Sequence, residues 1–158
     1  MAAGDVKNAY SALATVTITL TSLADGSARE STVIDNTSNK YLDLILRAQS
    51  RCSGAATGQV NIYAYASLSD TTYTDGATGS DAAFTAANRL NSKLVGSLQM
   101  NGTSPASLVE SVRAAFGGTL PSKVGFIFVN AAGAALSATA GHHIVEVQGV
   151  YATVEPSA

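Results

Sequence analysis

The chain has 158 residues, of which 46% are hydrophobic and only 13% are charged. With 9 Lys and Arg residues against 11 Asp and Glu residues, the formal net charge is −2, which provides no excess of cations to neutralise phosphates and argues against a nucleic-acid partner. A chain of this length fits one compact domain, and because it has no Trp and few charges, small polar residues must cover much of its surface, which suits close contact with other proteins.

The first 13 residues, MAAGDVKNAYSAL, are expected to form an N-terminal arm before a single domain at residues 14–158. Asp5, Lys7 and Asn8 interrupt this segment, so it does not resemble the basic start and continuous apolar run of an export signal. No stretch approaches the roughly 20 apolar residues of a membrane-spanning helix. Cys52 is the single cysteine, so it has no thiol with which to form an intrachain disulfide or share a metal, which fits synthesis in a reducing compartment such as the cytosol.

Eight segments have the pattern of β-strands, and Gly, Asn, Asp or Pro residues separate them. In chain order they span residues 14–20, 29–35, 41–49, 59–67, 93–100, 106–115, 124–130 and about 142–154. In the first segment Val16, Ile18 and Leu20 share one face while threonines occupy the other, which is the alternation of a half-buried strand. Asp25 and Gly26 then form a turn signal before the second segment.

The fourth segment, QVNIYAYAS, alternates apolar residues with a second set that includes Tyr63 and Tyr65, so both of its faces are expected to be covered. Tyrosine rings can be buried while their hydroxyls hydrogen-bond at a rim or at a subunit contact. After this segment, residues 68–92 lose periodicity and fill with Asp, Thr, Gly and Ala. A loop this long inside a compact domain is usually functional or ordered by a partner.

Residues 106–115 follow an Asn-Gly hairpin signal and are predicted as a strand, although their Ala, Leu, Glu and Arg residues would also permit a short helix. Residues 124–130, VGFIFVN, are apolar, β-branched and aromatic, and are expected at the centre of a sheet. In the last segment Gly149 indicates a bulge or a close backbone approach. Eight strands without alternating helices predict an all-β fold, an eight-stranded antiparallel jelly-roll-like β-sandwich.

The polar residues do not form a pattern that is typical of catalysis. His142 and His143 are neighbours on a predicted strand and point to opposite faces, so a hydrogen-bonded strand end accounts for them better than a metal site. Asp70, Asp75 and Asp81 lie on the long loop without the spacing of a calcium-binding loop. No carboxylate pair or Ser–His context marks a nucleophile and base. We therefore expect no enzyme activity, no cofactor and no metal site.

Four parts of the chain carry a further signal: 58–66 (GQVNIYAYA), 73–76 (YTDG) with 79–83 (GSDAA), 114–121 (AAFGGTLP) and 148–152 (QGVYA). Together with the opening residues, they resemble small structural proteins of tailed bacteriophages. Within that group the chain is most similar to the jelly-roll cement, or decoration, proteins on the outside of icosahedral heads. The resemblance covers most of the chain, and none of its motifs is catalytic.

The resemblance implies a virion structural protein that binds the outer head surface, bridges major capsid protein subunits and stabilises the shell. It implies synthesis in the host cytoplasm, self-association as a dimer or trimer, and no nucleic-acid or membrane partner. Two alternatives stay open, namely a carbohydrate-binding or host-adhesion module, because jelly rolls also make lectins, and a head-to-tail or tail component. The lack of Trp weakens the first alternative.

Candidate contacts with the capsid or with other subunits lie in the N-terminal arm, at Val6 and Tyr10, and in the long loop, at Tyr73, Asp75 and Phe84. The competing interpretation is that Tyr10 covers the edge of the sandwich and that Tyr73 packs on its own loop. If the loop makes the contact, deleting residues 70–86 is expected to impair capsid attachment and to leave the fold intact.

Overall fold

The structure, a computed structural model, describes residues 5–67 and 71–155. Strands dominate these residues, and the single α-helix among them is short. The strands are β1 Asp5–Tyr10, β2 Ala14–Thr15, β3 Ala28–Glu30, β4 Ile34–Asp35, β5 Asp43–Ser50, β6 Gln59–Ser67, β7 Ala82–Phe84, β8 Lys93–Gln99, β9 Ala106–Ser111, β10 Lys123–Ala131 and β11 Ile144–Glu155. The α-helix is α1 Val112–Ala115, and short 3-10 helices lie at Thr74–Gly76, Ala86–Asn88 and Ala140–His142.

The strands form two antiparallel sheets. Sheet A has the order β1-β11-β5-β9, with β2 also paired to β11, and sheet B has the order β7-β3-β10-β6-β8, with β4 also paired to β10. If β1 with β2 and β3 with β4 are each taken as one interrupted strand, and β7 is set aside, eight principal strands remain. Their order is 1-8-3-6 in sheet A and 2-7-4-5 in sheet B, which is a jelly roll. The predicted fold class is confirmed, with eleven strands in place of eight.

One continuous core fills the space between the sheets. Its largest fully buried members come from both sheets and from the crossing segments: Leu20, Leu44, Leu46, Ile62, Leu98, Phe126, Phe128 and Leu136. The strand predicted at the centre, β10, lies between β3 and β6 in sheet B, so that prediction is confirmed. Among the described residues, no buried side-chain nitrogen or oxygen lacks a hydrogen-bond partner.

The predicted strand at residues 14–20 is wrong beyond its first two residues. Val16 still donates its backbone N–H to the Val145 carbonyl at 2.8 Å, but Thr17 then accepts from the Thr32 N–H at 2.9 Å. The segment therefore crosses from sheet A towards sheet B. Val16 and Leu20 are buried as their alternation indicates, because a crossing segment can direct alternate side chains into the core without forming a ladder.

The segment before it also differs from the prediction. Residues 5–10, assigned to an arm, form β1, which pairs along its whole length with the end of β11. Val6 and Tyr10 are exposed, so β1 lacks the buried apolar stripe by which a half-buried strand is recognised in a sequence.

The predicted strand at residues 106–115 is right for β9 and wrong for α1. The Ser111 hydroxyl oxygen accepts from the Ala114 N–H at 3.2 Å, and Asp43 accepts from the Arg113 N–H at 2.8 Å and from the Ser111 hydroxyl at 2.6 Å. These bonds satisfy N–H groups that the first turn of a helix leaves without partners. The helix-forming residues of this segment therefore adopt a helix after Ser111, where a cap is present, and not the predicted strand.

Candidate functional site

The outer side of sheet B, which faces away from the main core, is covered by the chain itself. Tyr65, Ile127 and Val129 point to this side and are buried, because the loop at residues 71–92 folds over them. Tyr73 from the loop meets Tyr65 edge to face, with ring centroids 5.7 Å apart. We call this side of sheet B, with Tyr65, Ile127 and Val129 at its centre, the covered face.

The hydroxyl of Tyr65 is satisfied inside the protein. It donates to the Ser31 carbonyl at 2.6 Å. Burial and the nearby charge of Glu30 raise the pKa of Tyr65 above its ordinary value, so the phenol is neutral and acts as a donor. The hydroxyl therefore serves the fold, and not the rim or subunit contact considered from the sequence.

Asp75 joins the first part of the loop to its last two residues, directly before β8. Its carboxylate accepts from the backbone N–H of Asn91 at 2.9 and 3.0 Å, from the Asn91 amide at 2.9 Å, and from the N–H and hydroxyl of Ser92 at 2.7 Å each. Burial raises the pKa of Asp75, but the bonds from Ser92 and Asn91 outweigh it, so that pKa lies below its ordinary value. Asp75 is thus committed to an internal contact.

Asp81 joins the loop to the segment before β3 and to β3 itself. It accepts from the backbone N–H of Thr19 at 3.0 Å and from the Thr19 hydroxyl at 2.6 Å, and it forms an ion pair with Arg29 of β3. Burial again opposes ionisation, and the bonds from Arg29 and Thr19 lower the pKa of Asp81 in spite of it. The loop therefore holds together the crossing segment, β3 and its own strand β7.

Glu30 is a nearly completely buried carboxylate under the loop. The loop residue Thr78 donates to it twice, from its N–H at 2.8 Å and from its hydroxyl at 2.9 Å. With Asp75 and Asp81, Glu30 makes a third polar attachment for residues 71–92. Because a buried carboxylate without hydrogen bonds is strongly unfavourable, the burial of Glu30 depends on Thr78 remaining in this position.

Phe84, the third loop candidate, lies on β7 opposite Ala28 of β3 and is half-buried against the covered face. Beside it, a groove of about 540 Å³ runs between β7 and the segment at residues 19–29, lined mainly by Thr, Ser and Ala residues. The structure therefore places Tyr73, Asp75 and Phe84 in the loop's own packing. Phe84 also borders this groove, and Tyr73 borders a second one of about 450 Å³ beside Phe116 and Pro121.

The outer side of sheet A has no such cover from the described residues. Val145 and Val147 of β11 point into the core, so the even-numbered residues of β11 point outwards, and the register places Val6 and Tyr10 of β1 beside Val154 and Val150 on this side. Val6 is 71%, Tyr10 57% and Val154 68% exposed. We call this side of sheet A, which carries Val6, Asn8, Tyr10, Val109, Val150 and Val154, the open face.

The open face has an ion pair in its middle and a second apolar residue at its far edge. Arg47 of β5 and Glu146 of β11 are opposite each other and meet at 2.9 Å. Val109 of β9, opposite Arg47, is 65% exposed. An exposed ion pair contributes little to stability, but it leaves this part of the face with no uncompensated charge.

Sequence reasoning selected Val6 and Tyr10 but missed six other exposed large apolar residues: Leu13, Leu42, Leu90, Leu94, Val109 and Val154. Leu90 follows the 3-10 helix Ala86–Asn88 and is 84% exposed, and Leu94 of β8 points to the outer side of sheet B beside Tyr63. Alternation along residues 93–100 and 106–115 marks which residues share a side, but it does not tell which side another segment covers.

The two histidines belong to a polar cluster that joins the end of β5 to the segment before β11. His143 Nδ1 lies 2.9 Å from the Ser50 hydroxyl, and its Nε2 lies 2.9 Å from the Ser137 carbonyl. His142 Nδ1 lies 2.7 Å from the Ser137 hydroxyl, and its Nε2 lies 3.4 Å from Arg51. Ser50 and Ser137 are buried, so these Ser–His contacts do not face an open cleft.

The environment of His143 favours its neutral form. Burial lowers the pKa of His143, the bond to the Ser137 carbonyl raises it in part, and the proximity of His142 lowers it again. The net pKa lies below the ordinary value. Since the Ser137 carbonyl can only accept, Nε2 carries the proton in the neutral ring and Nδ1 accepts from Ser50. The histidines are linked by hydrogen bonds at a strand end, as the sequence indicated.

The other candidate ligands do not converge. Asp75 and Asp81 are turned to separate partners, and Asp70 lies outside the described residues. No group of three His, Cys, Asp or Glu side chains in residues 5–67 and 71–155 has the arrangement of a metal site. Cys52 is buried, and burial together with the charge of Asp25 raises the pKa of its thiol.

In the part of the chain that the structure describes, no helix combines the length and apolar character needed to cross a bilayer. No protein-family model matches this chain, and no curated protein matches it.

Proposed function

We propose that this chain is a bacteriophage capsid cement protein that binds the outer head surface and bridges neighbouring major capsid protein subunits. The resemblance of its sequence to such proteins supports the phage assignment. The observation that supports a binding role is the difference between the two outer sides of the sandwich. The covered face is closed by residues 71–92, whereas the open face presents Val6, Tyr10, Val109 and Val154 to solvent.

The open face has the physical character of a protein-binding surface. Exposed apolar side chains give a favourable free energy when another surface covers them, at about 25 cal/mol for each Å² of apolar area. In the central ion pair the charges of Arg47 and Glu146 neutralise each other, so covering this pair leaves neither of the two charges without a partner.

In this proposal the protein acts as an adhesive and not as a catalyst. A head filled with DNA is under outward stress, and a protein that contacts two capsomers opposes their separation because its buried area must be exposed again before they part. Many copies on one lattice add their contacts with high effective concentration, so modest affinity at each site is sufficient. The proposed place of action is the outer capsid surface of the virion, after synthesis in the host cytoplasm.

The test uses heads of the parent phage from which this chain has been omitted, and purified chain added back. Val109→Asp places a carboxylate on the open face, and Leu90→Asp introduces the same charge at an even more exposed apolar residue on the other side of the sandwich. We expect Val109→Asp to weaken binding at least tenfold, which corresponds to about 1.4 kcal/mol, and Leu90→Asp to bind as the wild type does.

Equal binding by both variants would reject the open face as the contact surface. Electron microscopy of the virion tests the broader proposal, because it locates and counts the chain. Density on the head surface supports a cement protein, whereas a ring at the vertex or in the tail would support the head-to-tail or tail alternative.

The groove beside Phe84 favours a second candidate, a carbohydrate-binding module. Its lining is rich in Thr and Ser hydroxyls, and Phe84 supplies one aromatic ring at its border. A glycan array tests this function, with Phe84→Ala as the variant expected to lose any signal. A wild-type chain that binds no glycan on the array would remove this candidate.

A further inference from the structure

The strand β1 has a free edge. It pairs with β11 on one side, and no described strand pairs with it on the other. The other long outer strands are better protected, since β8 and β9 approach each other so closely that a Cβ on Gly96 would lie 3.2 Å from Leu108 and 3.3 Å from Glu110. The outer strand β7 has only three residues. Free edges are sites where another strand can add to a sheet.

The backbone of β1 shows which of its groups point to this edge. Ser11, directly after β1, donates its N–H to the Gly149 carbonyl of β11 at 2.9 Å. Backbone N–H and C=O groups of successive residues in an antiparallel strand point to opposite sides. The odd-numbered residues of β1 therefore bond to β11, and Val6, Asn8 and Tyr10 direct their N–H and C=O groups away from it.

We propose that β1 is a homodimer interface, in which β1 of one copy pairs antiparallel with β1 of a second copy about a two-fold axis at Asn8. In this register Asn8 faces Asn8 of the second copy, and Val6 faces Tyr10. All three outward-pointing residues then form hydrogen-bonded pairs. Each of these residues gives one N–H and one C=O bond, so the two copies exchange six bonds in all.

The neighbouring registers pair fewer residues of β1 with each other. A two-fold axis at Lys7 would place the two Lys7 residues opposite each other and Tyr10 opposite residue 4, outside the described residues. An axis at Ala9 would place Val6 opposite Ala12, beyond the end of β1. Like charges directly opposite are unfavourable in a sheet, whereas a β-branched residue opposite an aromatic ring is favourable. The axis at Asn8 is therefore the register that the sequence of β1 fits best.

The side chains support the same pairing. Val6 and Tyr10 lie on the open face and are among its most exposed residues. Pairing about Asn8 places each Tyr10 ring beside Val6 of the other copy and makes the two open faces continuous. A two-fold axis is the symmetry that a self-complementary strand requires, since each residue contact then occurs twice. The interface is small, so we expect a dimer that dissociates on dilution.

This inference does not depend on the proposed function, because it concerns the purified chain without capsids. Sedimentation velocity over a range of concentrations is expected to show a monomer–dimer equilibrium for the wild type. Asn8→Pro removes an N–H that points away from β11, so it should abolish the dimer and preserve the β1–β11 ladder. A wild-type chain that stays monomeric at its highest soluble concentration would overturn the inference.

Two lysine variants test the same contact without proline, which could itself unfold the protein. Val6→Lys places a charge beside the proposed contact, and Val109→Lys makes the same change at a similarly exposed residue on the opposite edge of sheet A. We expect Val6→Lys to weaken the dimer at least tenfold and Val109→Lys to leave it unchanged, with the same circular dichroism for both. Equal dimerisation of the two variants would overturn the inference.

Disulfide trapping tests the register directly. Directly opposite residues in a hydrogen-bonded pair have Cα atoms about 5.5 Å apart, within the range of a disulfide. Under mild oxidation, Asn8→Cys is expected to give a covalent dimer. Ala9→Cys would hold its two thiols on Cα atoms about 8 Å apart and should stay monomeric, and Cys52 is buried and does not compete. Efficient trapping through position 9 with none through position 8 would contradict the axis at Asn8.

Discussion

The ring of Tyr65 occupies the place that a side chain would take at Gly125. The two residues are directly opposite each other on β6 and β10, and a Cβ on Gly125 would lie 2.2 Å from Cζ of Tyr65. A related contact occurs in sheet A, where a Cβ on Gly149 would lie 2.4 Å from the ring of Tyr41, which precedes β5 and is not the residue opposite Gly149. In both sheets an aromatic ring thus covers a strand glycine, which explains why glycine is present in these strands.

This contact predicts that Gly125→Ala destabilises the protein. The added methyl group would overlap a buried ring that has no space to move, so we expect a loss of about 2–3 kcal/mol in the free energy of unfolding. Urea denaturation measures it. Gly54→Ala is the matched control, because a Cβ there meets no atom within 4 Å, and it should be neutral. A Gly125→Ala variant as stable as Gly54→Ala would show that the ring of Tyr65 is not fixed.

Asp75 provides a second prediction, about the loop. Asp75→Asn keeps the size of the side chain and tolerates the left-handed backbone of this residue, whose φ is 60°, but it replaces an acceptor oxygen with a donor facing Asn91 or Ser92. We expect a loss of about 1–2 kcal/mol and faster hydrogen exchange at the amides of Asn91 and Ser92.

The control for this variant is Asp25→Asn. Asp25 accepts from the Gly133 N–H at 2.8 Å, a bond that an asparagine oxygen can retain. Asp25→Asn should therefore lower the free energy of unfolding by less than Asp75→Asn does. Unchanged exchange at Asn91 and Ser92 in the Asp75→Asn protein would mean that other contacts hold the loop.

His143 makes stability depend on pH. Burial keeps the folded-state pKa of His143 below its ordinary value of 6.5, so the unfolded chain takes up a proton more readily. Stability therefore decreases as the pH falls through 6.5 towards the folded-state pKa. We expect His143→Gln to reduce this slope in melting temperatures recorded across that range. Above the range, the two proteins should differ by a constant amount. Parallel curves throughout would show that His143 does not cause the slope.

Deletion of residues 70–86 gives a fourth prediction, which replaces an expectation from the sequence. The described part of this segment contains Tyr73, Asp75, Thr78 and Asp81, and β7 as well. Its removal would expose Tyr65 and leave Glu30 without Thr78, so we expect a marked loss of stability and not an intact fold. Thermal unfolding measures this. A deletion variant that melts with the wild type would show that sheet B is stable without its cover.

The prediction from sequence was most accurate where burial and strand pairing coincide. The segments at residues 59–67 and 124–130 form β6 and β10 at almost the predicted boundaries, because central strands must be apolar on the side that faces the core. It failed where pairing occurs without burial, as in β1, and where burial occurs without strand pairing, as at Leu20. Periodicity reports the side that a residue faces, and it does not report a hydrogen-bonded neighbour.

The candidate contacts divide in the same way. Tyr73 and Asp75 were selected because they lie in a long aperiodic loop, but the structure commits them to Tyr65, Asn91 and Ser92. Val6 and Tyr10 are exposed at a free strand edge, although they were assigned to an arm and not to a strand. A polar loop sequence is compatible with packing inside the protein and with exposure to solvent, since its own residues do not determine which surface they will contact.

The sequence by itself determined the all-β class, most of the principal strands and the lack of an excess of cations. The strands follow from the alternation of residues within each segment, and the charge follows from the composition of the chain, so neither depends on contacts between segments. Only the tertiary structure decided that the loop closes one side of the sandwich and that no described segment covers the other side, which has β1 at its edge. Both facts arise from contacts between segments far apart in the chain, and such contacts leave no periodic signal in either segment.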